Sequence, residues 1–374
     1  MTRTLVVTND FPPRQGGIET FVHAMTSRFP VGEVVVHTSY EPGSAAYDAT
    51  LPYPVVREPV RTLLPTRRTS ARSAAIARRY GCDRVWFGAA APLGLMAERL
   101  RREAGIRTAV ATTHGHEVWW ARTPGARVLL RRIGARADTV TYLGASTRAP
   151  IAAVLGPGAA LERLVPGVDT TVFRPGLDAA PVRERYGLGD RPVILCAARL
   201  VARKGQDTLI RALRRVRREV PGAVLLLVGG GLYERRLRRI AAEYGVTESV
   251  VFAGGHPHHA MPSFYAAADV FAMPCRTRKR GLEVEGLGIV FLEAAACGLP
   301  VLAGDSGGAP DAVLDGESGH VVDGRSDAAV AERLVGMLRD PLLARAMGEK
   351  GRHWVRTEWS WERSYERLAE LLGR

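Results

Sequence analysis

The run Cys275-Arg-Thr-Arg-Lys-Arg-Gly-Leu-Glu-Val-Glu-Gly-Leu-Gly-Ile-Val-Phe-Leu-Glu293 holds two carboxylates eight residues apart, Glu285 and Glu293. Gly286 and Gly288 stand between them, and an apolar run follows. Two glycines so close suit a tight loop whose backbone N–H groups lie bare. Ile289 to Ala296 then reads as a helix start. Bare N–H groups at a helix N-terminus form a ready anion site. One carboxylate therefore precedes the anion site, and the other follows on the first turns of the helix. The pattern suits a ligand with phosphate in its middle and hydroxyls at both ends, as in a nucleotide sugar.

Outward from this run, strand and helix patterns alternate through the chain. In the first half, short apolar strands begin at Thr4, Val34, Val55, Arg84, Ala109 and Ala137. In the second they begin at Val193, Ala223, Val250, Asp269 and Pro300. Continuous apolar strands alternating with helices predict an α/β fold with parallel sheets. The 374 residues suit two domains. We set these at 1–172 and 173–354, with a C-terminal amphipathic helix over about 355–374. That helix starts near Trp354 and either braces the first domain or simply ends the second.

Composition narrows the class. At 46% hydrophobic and 24% charged, the chain reads as globular. The longest apolar run, Trp86 to Ala97, is too short to span a bilayer. The first residues open directly on a strand pattern rather than a leader. Cys82, Cys196, Cys275 and Cys297 form no C-x-x-C pair, so neither a disulfide framework nor a zinc site is expected, and a reducing cytoplasm fits. The net charge is +14, and the segment from Arg57 to Arg136 holds 17 arginines against 5 carboxylates. This is either a solvated face in an arginine-rich chain or the footprint of an anionic partner. Apolar Leu63 and Leu64 beside the arginines of 61–79 suit an anionic membrane surface. Nucleic acid would ask for interleaved aromatics, and only Tyr80 is present.

Several loops are candidates for chemistry. Strand, Gly16-Gly17, helix is a phosphate-cradling layout, or a plain βα turn. His114 and His116 with Glu117 have metal-ligand side chains, but i, i+2 spacing at a strand end sets the rings on opposite faces, so no metal is expected. Gly229-x-Gly231-x-x-Glu234 lacks the third glycine of a dinucleotide fingerprint. Arg199 and Lys204 sit on a strand-to-helix loop. With only three lysines in the chain, a lysine there suggests a wanted ammonium.

Five stretches in order resemble the retaining glycosyltransferases of family 4, which have the GT-B fold. They are Asn9-Asp-Phe-Pro-Pro-Arg-Gln-Gly-Gly-Ile-Glu19, His114-Gly-His-Glu117, Leu164 to Pro175 as the interdomain linker, Arg199-x4-Lys204-Gly205, and Glu285-x7-Glu293. Gly307-Gly-Ala-Pro310 adds a sixth likeness, with Asp311 where the family has Glu. Thr8–Pro13, Val85–Pro92, Thr113–Val118 and Glu283–Ile289 are closer to the subgroup that uses GDP-mannose and phosphatidylinositol monomannoside.

The resemblance implies two Rossmann-like domains with parallel sheets facing across a cleft, whose closure excludes water. It implies that Gly16 and Gly17 approach the donor diphosphate, which Arg199, Lys204 and the backbone of Gly288, Ile289 and Val290 hold. It places Glu293 on the ribose hydroxyls, Glu285 on the transferred sugar, and His114 facing that sugar. Asp10 and His116 fall on the acceptor side. The implied partners are a nucleotide sugar and an anionic phospholipid at the inner face of the cell membrane, with no cofactor, metal or nucleic acid. Two alternatives stay open: another donor or a soluble acceptor, and a non-catalytic basic binding protein.

Overall fold

The computed structural model describes residues 2–14, 16–156 and 159–374. It divides into two compact units, Met1–Gly167 with Trp361–Arg374, and Val168–Ser360.

The first unit is built on seven parallel strands. They are β1 (Arg3–Val7), β2 (Val34–Ser39), β3 (Val55–Glu58), β4 (Cys82–Phe87), β5 (Thr108–Thr112), β6 (Thr139–Tyr142) and β7 (Ala160–Arg163). Their order is β3-β2-β1-β4-β5-β6-β7. Successive side chains on a strand point to opposite faces, and both faces here are covered. Leu5 and Val7 enter one core with Val35, Val85, Phe87 and Ala109. Val6 enters the other with Val34, Val36, Trp86 and Val110. Trp86 is fully buried, and its indole N–H donates to Thr112 Oγ1 at 2.9 Å.

The second unit has six parallel strands: β8 (Val193–Ala197), β9 (Val224–Val228), β10 (Val250–Gly254), β11 (Val270–Met273), β12 (Val301–Gly304) and β13 (Gly319–Val322). They run β10-β9-β8-β11-β12-β13. In both sheets the order reverses beside the first strand of the unit. Loops at the carboxyl ends of strands near such a reversal are where α/β sheets bind ligands.

Two expectations need correction. The sequence shows no strand at β7 or at β13. β7 is an edge strand with no buried side chain, so it has no apolar signature. The expected single C-terminal helix is two, Pro341–Glu358 and Trp361–Leu371. The break at Trp359 and Ser360 is where the chain passes back from the second unit to the first. Trp359 meets Trp354 edge to face within the second unit, whereas Trp361 lies 5.9 Å from Phe21 in the first. Arg28 and Arg367 pair this last helix to the first unit through Glu362 and Glu162. All four cysteines are buried free thiols.

Trp361→Ala removes a large buried ring from the first unit only, at a cost of about 3–5 kcal/mol. In urea unfolding followed by separate probes on each unit, the first unit's transition should fall to lower urea while the second unit's stays in place. Equal movement of both would contradict this packing.

Candidate active site

In the second unit the chemistry gathers on loops after β8, β11 and β12. Arg199 follows β8, and Lys204 ends the short turn Ala202–Lys204. Gly205 then caps the helix Gln206–Glu219 with φ of 79°. A Cβ there would stand 2.0 Å from Pro274 O, so only glycine lets this turn meet the chain at the end of β11.

That approach brings Lys204 to Glu285. Lys204 Nζ lies 2.9 Å from Glu285 Oε2, and Arg203 Nη1 donates to the same oxygen at 3.0 Å. The carboxylate is buried, which pushes its pKa up. Lys204, Arg203 and Arg199 outweigh that and hold it below the ordinary value. The backbone of Glu285 is anchored too. Its N–H donates to Ser306 Oγ at 3.3 Å, and its carbonyl accepts from Gly308 N at 3.0 Å. A Cβ on Gly307 would stand 1.9 Å from Glu285 O, and one on Gly308 2.1 Å from Gly286 O. This contact accounts physically for the glycine pair after β12. Arg199 is exposed and, among the described residues, has no ion-pair partner.

Gly288, at φ of 85°, caps the helix Ile289–Ala296, which therefore begins where the sequence places it. Glu293 is buried on that helix. Tyr265 donates its hydroxyl to Glu293 Oε2 at 2.7 Å, and His258 Nε2 donates to Oε1 at 2.7 Å. Burial, and then the Glu293 charge, raise the pKa of Tyr265 well above its ordinary value, so it stays a donor. The bond to Glu293 raises the pKa of His258 against the effect of burial.

The remaining candidates lie in the first unit. Gly16 caps the helix Gly17–Thr26. A Cβ on Gly16 would strike the Glu19 carboxylate at 2.2 Å, while one on Gly17 meets nothing within 4 Å. The Glu19 carboxylate is the end of a flexible side chain and the Gly16 backbone is extended, so no neighbouring backbone fixes either glycine. Glu19 is buried and pairs with Arg14 at 2.9 Å. His114 donates Nε2–H to Gly88 O at 2.6 Å and rests edge-on to Phe21. Burial lowers its pKa, with Glu117 opposing, so it is a neutral imidazole with Nδ1 as acceptor. The Asp10 charge also acts on it. Glu117 is the loop's anchor: it accepts from His114 N at 2.9 Å and lies 3.2 Å from the exposed His116.

Sequence reasoning passed over Arg203, Ser306, Tyr265 and His258. Arg203 was visible as the neighbour of Lys204. Tyr265 and His258 come from 28 and 35 residues before Glu293, with no local pattern to connect them.

The model for Glycosyl transferases group 1 matches residues 180–354, and that for Glycosyltransferase Family 4 matches 15–172. The chain is 53% identical, over 99% of its length and 98% of the other, to the GDP-mannose-dependent alpha-(1-6)-phosphatidylinositol monomannoside mannosyltransferase of Mycolicibacterium smegmatis. It is 46% identical, over 99% and 97%, to the enzyme of Corynebacterium glutamicum named for the monoacylated form of that acceptor. Among solved structures, Anabaena HepE with UDP matches over the whole of both chains with a TM-score of 0.84 at 20% identity. Sucrose-phosphate synthase from Thermosynechococcus elongatus matches at 0.79 and 23%, over 99% and 98%.

The His258–Glu293 pair gives a pH signature. The folded state holds the His258 proton more tightly than the unfolded chain does. The pair's contribution is therefore whole below the ordinary value of 6.5 and is lost as pH rises through the higher folded-state value. An NMR titration should place His258 above 6.5, and Glu293→Gln should return it toward or below that value. An unshifted His258 in the native protein would refute the pairing.

Proposed function

We infer that this chain, which belongs to glycosyltransferase family 4, moves mannose from GDP-mannose to phosphatidylinositol monomannoside, forming an α-(1-6) bond with retention of configuration. One observation carries this reading: identity of 46–53% over nearly the whole chain to enzymes named for that reaction. The GT-B class of fold, with two parallel-sheet units, agrees with it.

The donor belongs to the second unit. The bare N–H groups of Gly288, Ile289 and Val290 at a helix N-terminus face a diphosphate well. Arg199, exposed and without an ion-pair partner among the described residues, is free to close on the same group. Lys204 has further N–H donors beyond the one aimed at Glu285. These groups stabilise the charge that grows on the diphosphate as the sugar leaves, an electrostatic role that needs no metal. Glu285, kept ionised by its two cations, accepts hydroxyls of the mannose. Glu293 has one partner on each oxygen, and its remaining lone pairs suit the ribose hydroxyls. The acceptor hydroxyl attacks the anomeric carbon from the face the diphosphate leaves. The anomeric C–O bond breaks, its electron pair goes to GDP, and the leaving phosphate oxygen takes the acceptor's proton.

The acceptor, an anionic lipid, is assigned to the first unit, with Asp10 and His116 on its side and His114 facing the transferred mannose. The helix Arg67–Tyr80 buries Ser70, Ser73, Ala74, Ile76 and Ala77 and turns Arg67, Arg68, Arg72, Arg78 and Arg79 outward. Leu64 is exposed just before it. This combination suits peripheral binding to an anionic membrane surface. Among the described residues no helix is long and apolar enough to cross a membrane. The inner face of the cell membrane is where a cytoplasmic donor and a lipid acceptor meet.

Labelled GDP-mannose with phosphatidylinositol monomannoside in vesicles should pass label into the organic phase. Release of free mannose alone would keep the donor and discard the acceptor. Arg199→Ala and Lys204→Ala should each lower kcat by about 10²–10³-fold. Full activity in both would remove them from the diphosphate site. Sedimentation with vesicles should require anionic lipid and weaken as salt rises. Equal binding to neutral vesicles would refute the membrane role of the arginines.

A further inference from the structure

A cleft of about 420 Å³ opens in the second unit, where the helix Gln206–Glu219 meets the loops after β11 and β13. Arg211, Arg276, Arg278, Lys279 and Arg325 line it, with Asp207 as the lining carboxylate. None of Arg199, Lys204, Glu285 or Glu293 is on its wall.

The charges in this cleft do not balance. Asp207 is shared between Arg276, at 2.8 Å, and Arg211, at 3.1 Å. Glu283 is shared between Lys279, at 2.6 Å, and Arg278, at 3.4 Å. Arg325 donates to the backbone carbonyl of Thr277 at 2.7 Å and has no carboxylate partner among the described residues. Five lining cations are therefore set against one carboxylate on the wall, Asp207, and one behind it, Glu283. Such a concentration of like charge raises the local potential and draws in an anion.

The backbone gives an independent sign. Lys279 and Arg280, at φ of 50° and 54°, are the described non-glycine residues with positive φ, and Gly281 follows at 89°. Left-handed backbone at long side chains persists only where the surroundings impose it, and such sites cluster at ligand clamps. Here the turn sets Lys279 on the cleft wall beside Arg278.

We propose that this cleft is a second oxyanion site, distinct from the donor diphosphate site, and that it takes a phosphate group carried as a monoester or diester. Guanidinium forks match phosphate oxygens in pairs, and four of the five cations are arginines. The space exceeds a single phosphate ion, so the site accepts a small phosphorylated molecule or a lipid headgroup rather than the bare ion alone.

Calorimetric titration of the full chain, saturated with GDP, should show a saturable site for inorganic phosphate and for myo-inositol 1-phosphate. Arg278→Gln with Arg325→Gln should weaken it by about tenfold or more. Arg214→Gln with Arg218→Gln, an equal loss of charge on exposed positions outside the cleft, should change it by less than about twofold. Vesicles of phosphatidylcholine with and without phosphatidylinositol identify the source. If the cleft variant loses the phosphatidylinositol-dependent binding, the phosphate belongs to a lipid headgroup. If its vesicle binding is unchanged while inositol phosphate binding weakens, the ligand is a soluble ester. Absence of saturable binding, or equal weakening in both double variants, overturns the proposal. The heat of GDP binding reports separately on the donor reading. The two double variants decide the cleft even without GDP, because neither touches Arg199 or Lys204.

Discussion

A carboxylate taken out of water must be matched by cations and hydrogen bonds, or it loses its charge. Glu285 is matched by Lys204 and Arg203 on one oxygen, and its backbone by Ser306 and Gly308. Much of the second unit's loop geometry follows from that requirement. Gly205 exists to let the Lys204 turn approach the end of β11. Gly307 and Gly308 exist to let the loop after β12 lie against Glu285 and Gly286. Three loops from three strands are thereby locked around one ionised group. A site built this way is formed before any ligand arrives, and that preorganisation is what electrostatic catalysis uses.

The two glycine-rich loops illustrate how differently the same residue type can be justified. Gly205, Gly307 and Gly308 are each explained by a backbone oxygen that a Cβ would strike. Gly16 and Gly17 are not: a Cβ on Gly16 meets only the movable end of Glu19, and one on Gly17 meets nothing within 4 Å. The HGHE loop divides in a similar way. Glu117 holds the loop together, which leaves His114 as the histidine with a defined tautomer and, among the described residues, an unclaimed ring nitrogen.

Local patterns were enough for the core of the fold. Val193–Ala197, Val250–Gly254 and the helix Ile289–Ala296 stand where continuous apolar runs and a preceding glycine place them. β7 was hidden because an edge strand with half-exposed side chains has no apolar run to read. The last helix reads as one because Trp354, Trp361, Tyr365 and Leu368 keep a helical spacing, while the chain itself changes unit between the first two. At the site, residues that share a loop were legible together, as with Arg199 and Lys204. Tyr265 and His258 were not, since their meeting with Glu293 is created by the packing of three separate segments and leaves no mark on spacing.

The first unit is completed by Trp361–Arg374, the last residues of the chain. Trp361, Leu368 and Leu372 sit in the same core as Val6 and Phe21. On the ribosome, the sheet face that Phe21, Val22 and Met25 cover therefore emerges without the rest of its cover, and stays so through the synthesis of the whole second unit. The second unit is contiguous and can close as soon as its own residues are out. The core begun by the first residues made is thus filled only after the whole second unit has been made.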